Sequence, residues 1–561
     1  LLHKLYTAEI IDKETYDLAL TEPLPTEPHP IPQLAPHLLA YASKTREGQR
    51  VTTSLPIDLQ QKVSQIVAGY YSHYSQSEIY NMAALVVEVK TRKVLAYVGN
   101  TPTDENHQKD VDIIHAPRST GSVLKPFLYA AMLHEGELLP TTLIPDVPTQ
   151  IAGYSPQNFS NSFEGAVPAD MALAKSLNVP FVWLLRQFTT YRFYEVLQKL
   201  RLKNISRHPD HYGLSIILGG AESNLWDLAQ AYTNLASEVN VFAATQQYRS
   251  AEFQSLSYMA GSPPDFGKAT TALPTIRAGA LYSMFSAMKE VNRPTDDVAW
   301  RYYESARKIA WKTGTSFGNK DAWAIGATPE YVVAVWVGNA TGEGRPTLTG
   351  VSYAAPVMFS IFNALPHTTW FQQPLDDMRE VTICEQSGYL AKPECPQKLL
   401  RTTLAPKEIG QCPYHKLVHL TLDGQYQVNA SCQPVDQIYT KAWFVLPPVM
   451  EWYYKQQHVH YQSLPPFRSD CTEGVAQKAL DFVYPKHLSV IYTTKSFGGE
   501  QQPFVAKAAN RSGKLFWYID DVYLGTTDTF HEMNIFAAKG EHLLKIINEK
   551  GDEKTIKVIC Q

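Results

Sequence analysis

The chain has 561 residues, a formal net charge of −4 at pH 7 and 44% hydrophobic residues, which predicts about two to four domains. Nothing in it forms the basic stripe of a nucleic-acid-binding protein or the polybasic segment of an anionic-membrane binder. It has neither a signal peptide nor the run of about 18 apolar residues that a membrane-spanning helix needs. Because the sequence opens LLHKLYTAEI, without methionine, we expect a fragment whose membrane anchor has been lost.

The first third of the chain contains helical, linker and strand signals in turn. Residues 1–20 have a helical pattern, and six prolines in TEPLPTEPHPIPQLAPH predict a linker over residues 21–50. TTSLPIDLQQKVSQIVAGYYSHY predicts a capped helix. AALVVEVKTRKVLAYVGN predicts a buried β-hairpin around KTRK.

The middle of the chain alternates between helices and strands. RSTGSVLKPFLYAAML, parts of residues 165–190 and 214–238, and residues 277–291 have helical patterns. RKIAWKTGTS and DAWAIGATPEYVVAVWVGN are apolar and alternating, as in strands. This order of strands, helices and strands predicts an α+β or three-layer domain over residues 51–370, with helices packed on a sheet.

The composition changes after residue 370. Residues 371–469 predict a cysteine-containing connecting region, and short strands every 8–12 residues over 470–561 predict a small Ig-like β-sandwich. All six cysteines lie in this part of the chain: Cys384, Cys395, Cys412, Cys432, Cys471 and Cys560. Disulfides in an oxidising compartment are the favoured interpretation. Zinc is the alternative, because CPYHK places His415 three residues after Cys412.

A candidate nucleophile lies in RSTGSVLKPF. Ser122 precedes Lys125 by three residues, so on a helix the two side chains share a face. A lysine that loses its charge through burial or a neighbouring cation can act as a base toward a serine hydroxyl. The positive end of the helix and the serine amide could also stabilise an oxyanion. The pattern alone is weak, since SAMK (Ser286–Lys289) and SARK (Ser305–Lys308) also occur.

Two further motifs select the Ser122 pair. KSLNVP contains Ser176 and Asn178 in the only Ser-x-Asn of the chain, and WKTGTS contains its only Lys-Thr-Gly, beginning at Lys312. The order Ser-x-x-Lys, Ser-x-Asn, Lys-Thr-Gly is that of penicillin-binding proteins and class A β-lactamases. Of the three Ser-x-x-Lys pairs, only the one at Ser122 precedes the Ser-x-Asn motif.

The chain resembles the class A penicillin-binding proteins over nearly its whole length. ALVVEVKTRKVLAYVGN, RSTGSVLKPF, YSPQNF, ALAKSLNVP, LGGAESNLWDLAQAYTNLA and WKTGTSFGNKDAWAIGA resemble their transpeptidase domain, a serine β-lactamase-like fold with helices on a mainly antiparallel sheet. YQSLPPFRSDC and FWYIDDVYLGTT resemble the C-terminal module of one subfamily. Residues 1–20 resemble the last helix of the preceding glycosyltransferase domain. Since the rest of that domain is absent, we expect no glycosyltransferase activity.

The resemblance implies a peptidoglycan D,D-transpeptidase that forms an acyl-serine intermediate and is acylated by β-lactams. Ser122 would attack the stem peptide at D-Ala-D-Ala, with Lys125 as base and Ser176 as proton relay. Asn178 would hydrogen-bond substrate and Lys125, and Lys312 would supply positive charge. The substrate-binding residues would be Thr313, Gly314, Thr315 and Ser316, with the amides of Ser122 and Thr315 as the oxyanion hole. For Ser316, carboxylate binding and strand capping are equally open. No metal or organic cofactor is needed for this chemistry.

Other functions share the same residues. A D,D-carboxypeptidase would use water as the acceptor, and a weakly catalytic scaffold or sensor would act through an envelope partner of the C-terminal module. A β-lactamase is disfavoured because no Glu-x-x-Leu-Asn element follows Ser-x-Asn, and Glu164 precedes it. The substrate implies a periplasmic or other extracytoplasmic location, with the parent protein anchored in the inner membrane by an N-terminal helix.

Overall fold

The structure is a computed structural model that describes most of the chain, namely residues 1–23, 33–149, 155–261, 265–291, 307–405, 409–471, 480–492, 503–509, 513–528, 530–549 and 551–561. None of the helices in these ranges combines the length and the hydropathy needed to cross a membrane. Four of the six prolines in the predicted linker fall in residues 24–32, outside the described residues.

Helices predominate up to residue 370 and strands beyond it. The α-helices are α1 (Leu2–Thr7), α2 (Lys13–Thr21), α3 (Pro36–Thr45), α4 (Ile57–Tyr74), α5 (Lys125–Glu135), α6 (Ala169–Ala174), α7 (Asn178–Phe188), α8 (Thr190–Lys199), α9 (Pro209–Tyr212), α10 (Leu225–Thr245), α11 (Ala278–Lys289), α12 (Ala355–Ala364) and α13 (Pro448–Gln457). The strands up to residue 370 are β1 (Asn81–Glu88), β2 (Val94–Val98), β3 (Arg118–Ser119), β4 (Leu143–Asp146), β5 (Gly165–Pro168), β6 (Glu222–Ser223), β7 (Tyr248–Arg249), β8 (Ala269–Thr270), β9 (Ala310–Thr315), β10 (Asp321–Ala327) and β11 (Tyr331–Gly338).

A five-stranded antiparallel sheet, in the order β2-β1-β11-β10-β9, forms the centre of the first large domain. The predicted β1–β2 hairpin around KTRK is present. Side chains of β1 alternate between two cores: Leu85 and Val87 pack on one face, and Ala84 and Val86 on the other. Both faces are covered, which is why β1 is apolar along nearly its whole length.

Helices cover the two faces of this sheet unequally. The larger core includes residues of α5, α7, α8, α10 and α11, and the smaller core includes residues of α4 and α12. The α+β, three-layer arrangement predicted from the sequence is therefore confirmed. One detail differs: the N-cap of α4 is Pro56, which provides no side-chain hydrogen bond.

Local sequence signals set the ends of the helices near the sheet. Helix α5 begins at Lys125 with Pro126 in its first turn, where a missing N–H costs little, and ends at Gly136 in the left-handed conformation. Helix α10 begins after Asn224, whose side chain accepts a 2.7 Å hydrogen bond from the Asp227 amide.

The connecting region consists of two antiparallel hairpins and helix α13. The first hairpin pairs β12 (Met378–Cys384) with β13 (Gln397–Thr403), and the second pairs β14 (His415–Leu420) with β15 (Tyr439–Phe444). One predicted disulfide is present, between Cys432 and Cys471. The other four cysteines are free and buried, so the expectation of disulfides holds for one pair.

Two sheets form the C-terminal module. Its strands are β16 (Asp481–Tyr484), β17 (Ser489–Ile491), β18 (Phe504–Ala509), β19 (Leu515–Ile519), β20 (Val522–Thr527), β21 (Glu532–Ile535), β22 (Gly540–Asn548) and β23 (Glu553–Cys560). A three-stranded sheet, β16-β18-β21, and a five-stranded sheet, β17-β23-β22-β19-β20, share one core that includes Phe482 and Trp517. The predicted small β-sandwich is confirmed.

Candidate active site

Ser122 lies in the turn between β3 and α5, against the end of strand β9. Gly121 has a left-handed backbone (φ +52°), and a Cβ there would lie 2.7 Å from the Thr315 nitrogen. A Cβ on Gly314 would lie 2.7 Å from the Thr120 carbonyl oxygen. Contacts this short are not tolerated between a methyl group and backbone, so both glycines are needed for the turn and the strand to meet.

The turn that carries Ser122 is held by its neighbours on two sides. From the sheet, Trp323 Nε1 donates to the Ser119 carbonyl at 2.8 Å. From the segment before α10, the Gly219 carbonyl accepts from Ser119 Oγ at 2.7 Å, and the Ala221 carbonyl accepts from the Thr120 amide at 3.0 Å. This framework fixes the nucleophile turn relative to β10, the neighbour of β9.

Lys125 is fully buried at the start of α5. Its Nζ donates to Ser176 O at 2.8 Å, Leu177 O at 3.0 Å and Asn178 Oδ1 at 2.7 Å. Burial and, next in size, the charge of Lys312 hold the pKa of Lys125 well below its ordinary value. The three donations use all the hydrogens of the charged amine, and a lysine whose pKa is lowered in this way can lose one of them and become the base that Ser122 would require.

The Ser122 hydroxyl is half-buried. In the part of the chain that the structure describes, no hydrogen bond joins it to Lys125 or to another residue. Catalytic hydrogen bonds are often long in unliganded sites and form in the complex. Within the described residues, the Ser122 hydroxyl is thus not held by another side chain.

Ser176 connects the two lysines. Its carbonyl accepts from Lys125, and its hydroxyl accepts from Lys312 Nζ at 2.7 Å. The residue has a left-handed backbone (φ +56°), which is uncommon for a residue other than glycine and clusters at functional sites. Lys312 also donates to the Thr313 carbonyl, and burial lowers its pKa to about 7. Lys312 can therefore gain or lose its proton near neutral pH.

A layer of residues behind Asn178 was missed by the sequence reasoning. Asn178 Nδ2 donates to Gln157 O at 2.8 Å, and its amide donates to Asn158 Oδ1 at 2.9 Å. Asn158 is buried and donates to Asp146 Oδ1 at 2.7 Å. Gln157 and Asn158 belong to YSPQNF, which had been noted for its resemblance without any role, and that was the available signal. They orient the Asn178 amide toward Lys125.

The geometry of β9 directs a backbone amide toward Ser122. The Ser316 amide donates to the Asp321 carbonyl at 3.0 Å, which marks a hydrogen-bonded pair of the β9–β10 hairpin. Such pairs alternate along an antiparallel ladder, so Thr315, opposite Ala322, has its amide on the free edge of the sheet. This edge is where the Ser122 turn lies, and the two amides can be aimed at one oxygen.

The polar side chains at the end of β9 differ in burial and in the hydrogen bonds that they already form. Thr313 is largely buried, and Thr315 Oγ1 accepts from the Gly350 amide at 3.0 Å while its hydrogen remains available. Ser316 Oγ accepts from the Asp321 amide at 2.8 Å. This bond holds the Ser316 hydroxyl at the hairpin turn but leaves its hydrogen unused, so carboxylate binding and strand capping both stay open for Ser316.

The Ser286–Lys289 pair is not part of this constellation. Ser286 and Lys289 lie on α11, where Lys289 forms a 3.2 Å ion pair with Glu290. Ser305 lies outside the described residues, so the structure does not describe the Ser305–Lys308 pair. In the pair that motif order selects, Lys125 contacts the Ser-x-Asn segment through Ser176 and Asn178.

Comparison with known proteins extends this geometry to a family. Residues 82–363, which are 282 of the 561 residues, match the family described as the penicillin binding protein transpeptidase domain. The chain belongs to this family. Residues 470–558 match the Penicillin-Binding Protein C-terminus Family. Members of the transpeptidase family build peptidoglycan, are serine acyltransferases by type and are targets of β-lactams.

Individual penicillin-binding proteins align over different lengths. Penicillin-binding protein 1C of Escherichia coli is 26% identical over 100% of this chain and 71% of its own length. Penicillin-binding protein 1B of Vibrio cholerae is 27% identical over 56% of this chain and 40% of its own length. The crystal structure of penicillin-binding protein 1A from Haemophilus influenzae, 15% identical, covers 73% of this chain and 82% of its own with a TM-score of 0.53. The resemblance predicted from the motifs, which was strongest to the 1C type, is confirmed.

Proposed function

We propose that this chain is a D,D-transpeptidase that cross-links peptidoglycan stem peptides. The observation that carries the proposal is the convergence of Ser122, two buried lysines and the Ser176 hydroxyl beside the free edge of β9. A D-alanyl-D-alanine end supplies what this site can bind, namely a carbonyl for attack and a carboxylate for a cation.

The acylation step uses these groups in sequence. The Ser122 oxygen bonds to the carbonyl carbon of the penultimate D-alanine while its proton passes to Lys125. The amides of Ser122 and Thr315 receive the oxyanion, at about 3 kcal/mol per donor. The C–N bond then breaks, and the proton reaches the leaving D-alanine nitrogen through the Ser176 hydroxyl. An amine of a second strand then attacks the ester carbonyl, the C–O bond to Ser122 breaks, and the proton that the amine loses passes through Lys125 to the Ser122 oxygen, which completes the cross-link.

The terminal carboxylate has a binding place on the same strand. Lys312 attracts it, and the hydroxyls of Thr313 and Thr315 hydrogen-bond to it. The carboxylate in turn stabilises the charged form of Lys312, whose pKa is lowered by burial in the free protein. Gly314 lets the strand lie close to the Ser122 turn.

Intact-mass measurement with benzylpenicillin tests the proposal. One covalent adduct is expected on the chain and none on Ser122→Ala. Ser286→Ala, which changes the serine of another Ser-x-x-Lys pair, is the matched control and should retain the adduct. Absence of the adduct from the unchanged chain, or its survival in Ser122→Ala, contradicts the proposed nucleophile.

Product analysis with a donor stem pentapeptide and an amine acceptor identifies the reaction. A cross-linked dimer is expected, with loss of one D-alanine. Formation of the tetrapeptide alone would identify a D,D-carboxypeptidase, in which water is the acceptor. Neither product, with acylation intact, would favour a scaffold or sensor.

We infer that the chain works outside the cytoplasmic membrane and that its C-terminal module binds an envelope protein. The substrate and the Cys432–Cys471 disulfide support the location. The edge strand β20, which exposes Val522 and Tyr523, supports the binding role. Crosslinking of the full chain in envelopes, compared with a Val522→Lys, Tyr523→Lys variant, should show one partner lost in the variant.

A further inference from the structure

Three free cysteines and a histidine converge in the connecting region. Cys384 ends β12, Cys395 precedes β13, and Cys412 lies three residues before His415, the first residue of β14. All four side chains are buried, and their ligand atoms lie within 4.8 Å of one another. The region has two hairpins, and its small core is shared with Leu143, Val147 and Ala166 of the first large domain.

The distances in this cluster match those around a tetrahedral metal ion. His415 Nδ1 lies 3.3 Å from Cys384 Sγ and 3.4 Å from Cys412 Sγ. A tetrahedral Zn²⁺ with Zn–S of about 2.3 Å and Zn–N of about 2.0 Å sets such a sulfur–nitrogen separation at about 3.5 Å. Four protein ligands, all buried, are the donor set of a structural zinc site with no open position.

Hydrogen-bond donors surround the sulfur atoms. Ser387 Oγ donates to Cys412 Sγ at 3.1 Å, and the Lys392 amide donates to Cys395 Sγ at 3.4 Å. Donors of this kind stabilise metal-bound thiolates and orient them. Disulfides explain the cluster less well, because three cysteines cannot pair completely and a histidine ring nitrogen faces two of the sulfurs.

We propose that Cys384, Cys395, Cys412 and His415 bind a structural Zn²⁺ ion. Each thiol gives its proton to solvent as its sulfur binds the metal, and His415 binds through Nδ1. No electrons are transferred, so no oxidant is needed. The inference goes beyond the proposed transpeptidase activity and does not depend on it.

The ion would join the two hairpins of the connecting region, next to the loop that contacts the transpeptidase domain. The loop after Cys384 contacts the strand β4 segment, where the Leu143 amide donates to Ser387 O at 2.9 Å. A Cβ on Gly388 would lie 1.9 Å from the Thr141 carbonyl oxygen, so the two backbones touch. Strand β4 ends at Asp146, the residue that holds Asn158 behind the active site.

Metal content of the full chain, purified without chelators, is the first test. One zinc per chain is expected after gel filtration, by elemental mass spectrometry. Cys412→Ser and His415→Ala should lose the zinc. The controls are Cys560→Ser, which changes a free buried cysteine outside the cluster, and His419→Ala, which changes an exposed histidine on the same strand; both should keep it.

Two measurements on the unchanged chain keep the proposal falsifiable if the ligand variants fail to fold. Denaturation without reductant should expose four thiols, matching the four free cysteines, and release one zinc. Co²⁺ added to the chelated protein should give the intense visible bands of a tetrahedral thiolate site. A folded chain that holds no zinc and takes up neither metal, or a disulfide between two of the cluster cysteines, overturns the proposal. Acylation of the same sample by benzylpenicillin tests the transpeptidase proposal, so the two proposals can fail independently.

Discussion

Lys312 Nζ lies 2.7 Å from the Ser176 hydroxyl oxygen, inside a site where both lysines are buried. The contact makes Ser176 the acceptor of one lysine through its side chain and of the other through its carbonyl. The protonation of Lys312 should therefore control both carboxylate binding and the proton relay.

The first prediction concerns pH. Burial lowers the pKa of Lys312 to about 7, so the residue is a cation below that pH and becomes neutral above it. The second-order rate constant for acylation by benzylpenicillin should fall as pH rises through about 7, because the free protein loses the charge that attracts the carboxylate. At saturating drug the fall should move to higher pH, since the bound carboxylate stabilises the cation. A second-order rate constant that stays constant up to pH 9 would contradict this role of Lys312.

The second prediction separates stability from activity. Lys312→Met removes a buried cation, so it should stabilise the folded chain by about 1–3 kcal/mol near pH 7 while lowering the acylation rate about 100-fold or more. The stability gain should shrink as pH rises from 7 towards 10. Over this range Lys312 is already neutral in the folded protein, and in the unfolded chain it also approaches the pH at which it loses its proton, so burying the neutral amine costs less. Thermal unfolding and stopped-flow acylation measure the two effects. Lys320→Met, at an exposed lysine beyond β9, is the control and should change neither stability nor acylation rate. A Lys312→Met protein that is less stable than the unchanged chain would contradict the destabilising buried charge.

The third prediction tests the layer behind Asn178. Asn158→Ala leaves the Asn178 amide and the Asp146 carboxylate without partners they have now. The loss should cost about 2–3 kcal/mol of unfolding free energy and slow acylation even well below the melting temperature. Ser160→Ala, at an exposed position of the same loop, is the control. Unchanged acylation by a folded Asn158→Ala protein would show that Asn178 holds its orientation alone.

The fourth prediction concerns the contact between the nucleophile turn and β9. Gly314→Ala places a methyl group 2.7 Å from the Thr120 carbonyl oxygen, and relief of that contact must move the strand away from the turn. We expect a destabilisation of about 1–3 kcal/mol and a loss of acylation of about 100-fold, as for the loss of one oxyanion donor. Gly69→Ala, in a helix with open space around it, should raise stability by about 0.5–1 kcal/mol. A wild-type acylation rate in Gly314→Ala would contradict the proposed oxyanion geometry.

Residue patterns predicted much of this architecture because the patterns are local. The apolar alternation of β1 and β2 around KTRK predicts a buried hairpin, and motif order distinguishes Ser122 from Ser286. The Asn158 side chain could not be placed this way, because its partners, Asp146 and Asn178, come together only in the tertiary fold. The hydrogen bond from the Asp321 amide to the Ser316 hydroxyl likewise depends on the turn between β9 and β10, which the motif alone does not specify.

Cysteine spacing also fails to predict which cysteines come together in the folded chain. The pairing of Cys432 with Cys471 spans 39 residues, and nothing in the sequence between them distinguishes that pair from others. The CPYHK motif contained the relevant signal for Cys412 and His415, but the other two cysteines join it only because the hairpin β12–β13 brings its ends together. The strand pairing that places Cys384 and Cys395 beside Cys412 and His415 cannot be read from the cysteine spacing.

The bare backbone contact between Gly121 and Thr315 also limits how this protein can evolve under antibiotic selection. No side chain fits at Gly121 or Gly314 without moving the Ser122 turn away from β9, so under the proposed function a drug-escape substitution there should lower cross-linking together with acylation. Phe317, immediately beyond the motif, is 98% exposed, so no such contact restricts substitutions there. Inhibitors that depend on contacts with Gly121 and Gly314 should therefore keep their potency longer than inhibitors that depend on Phe317.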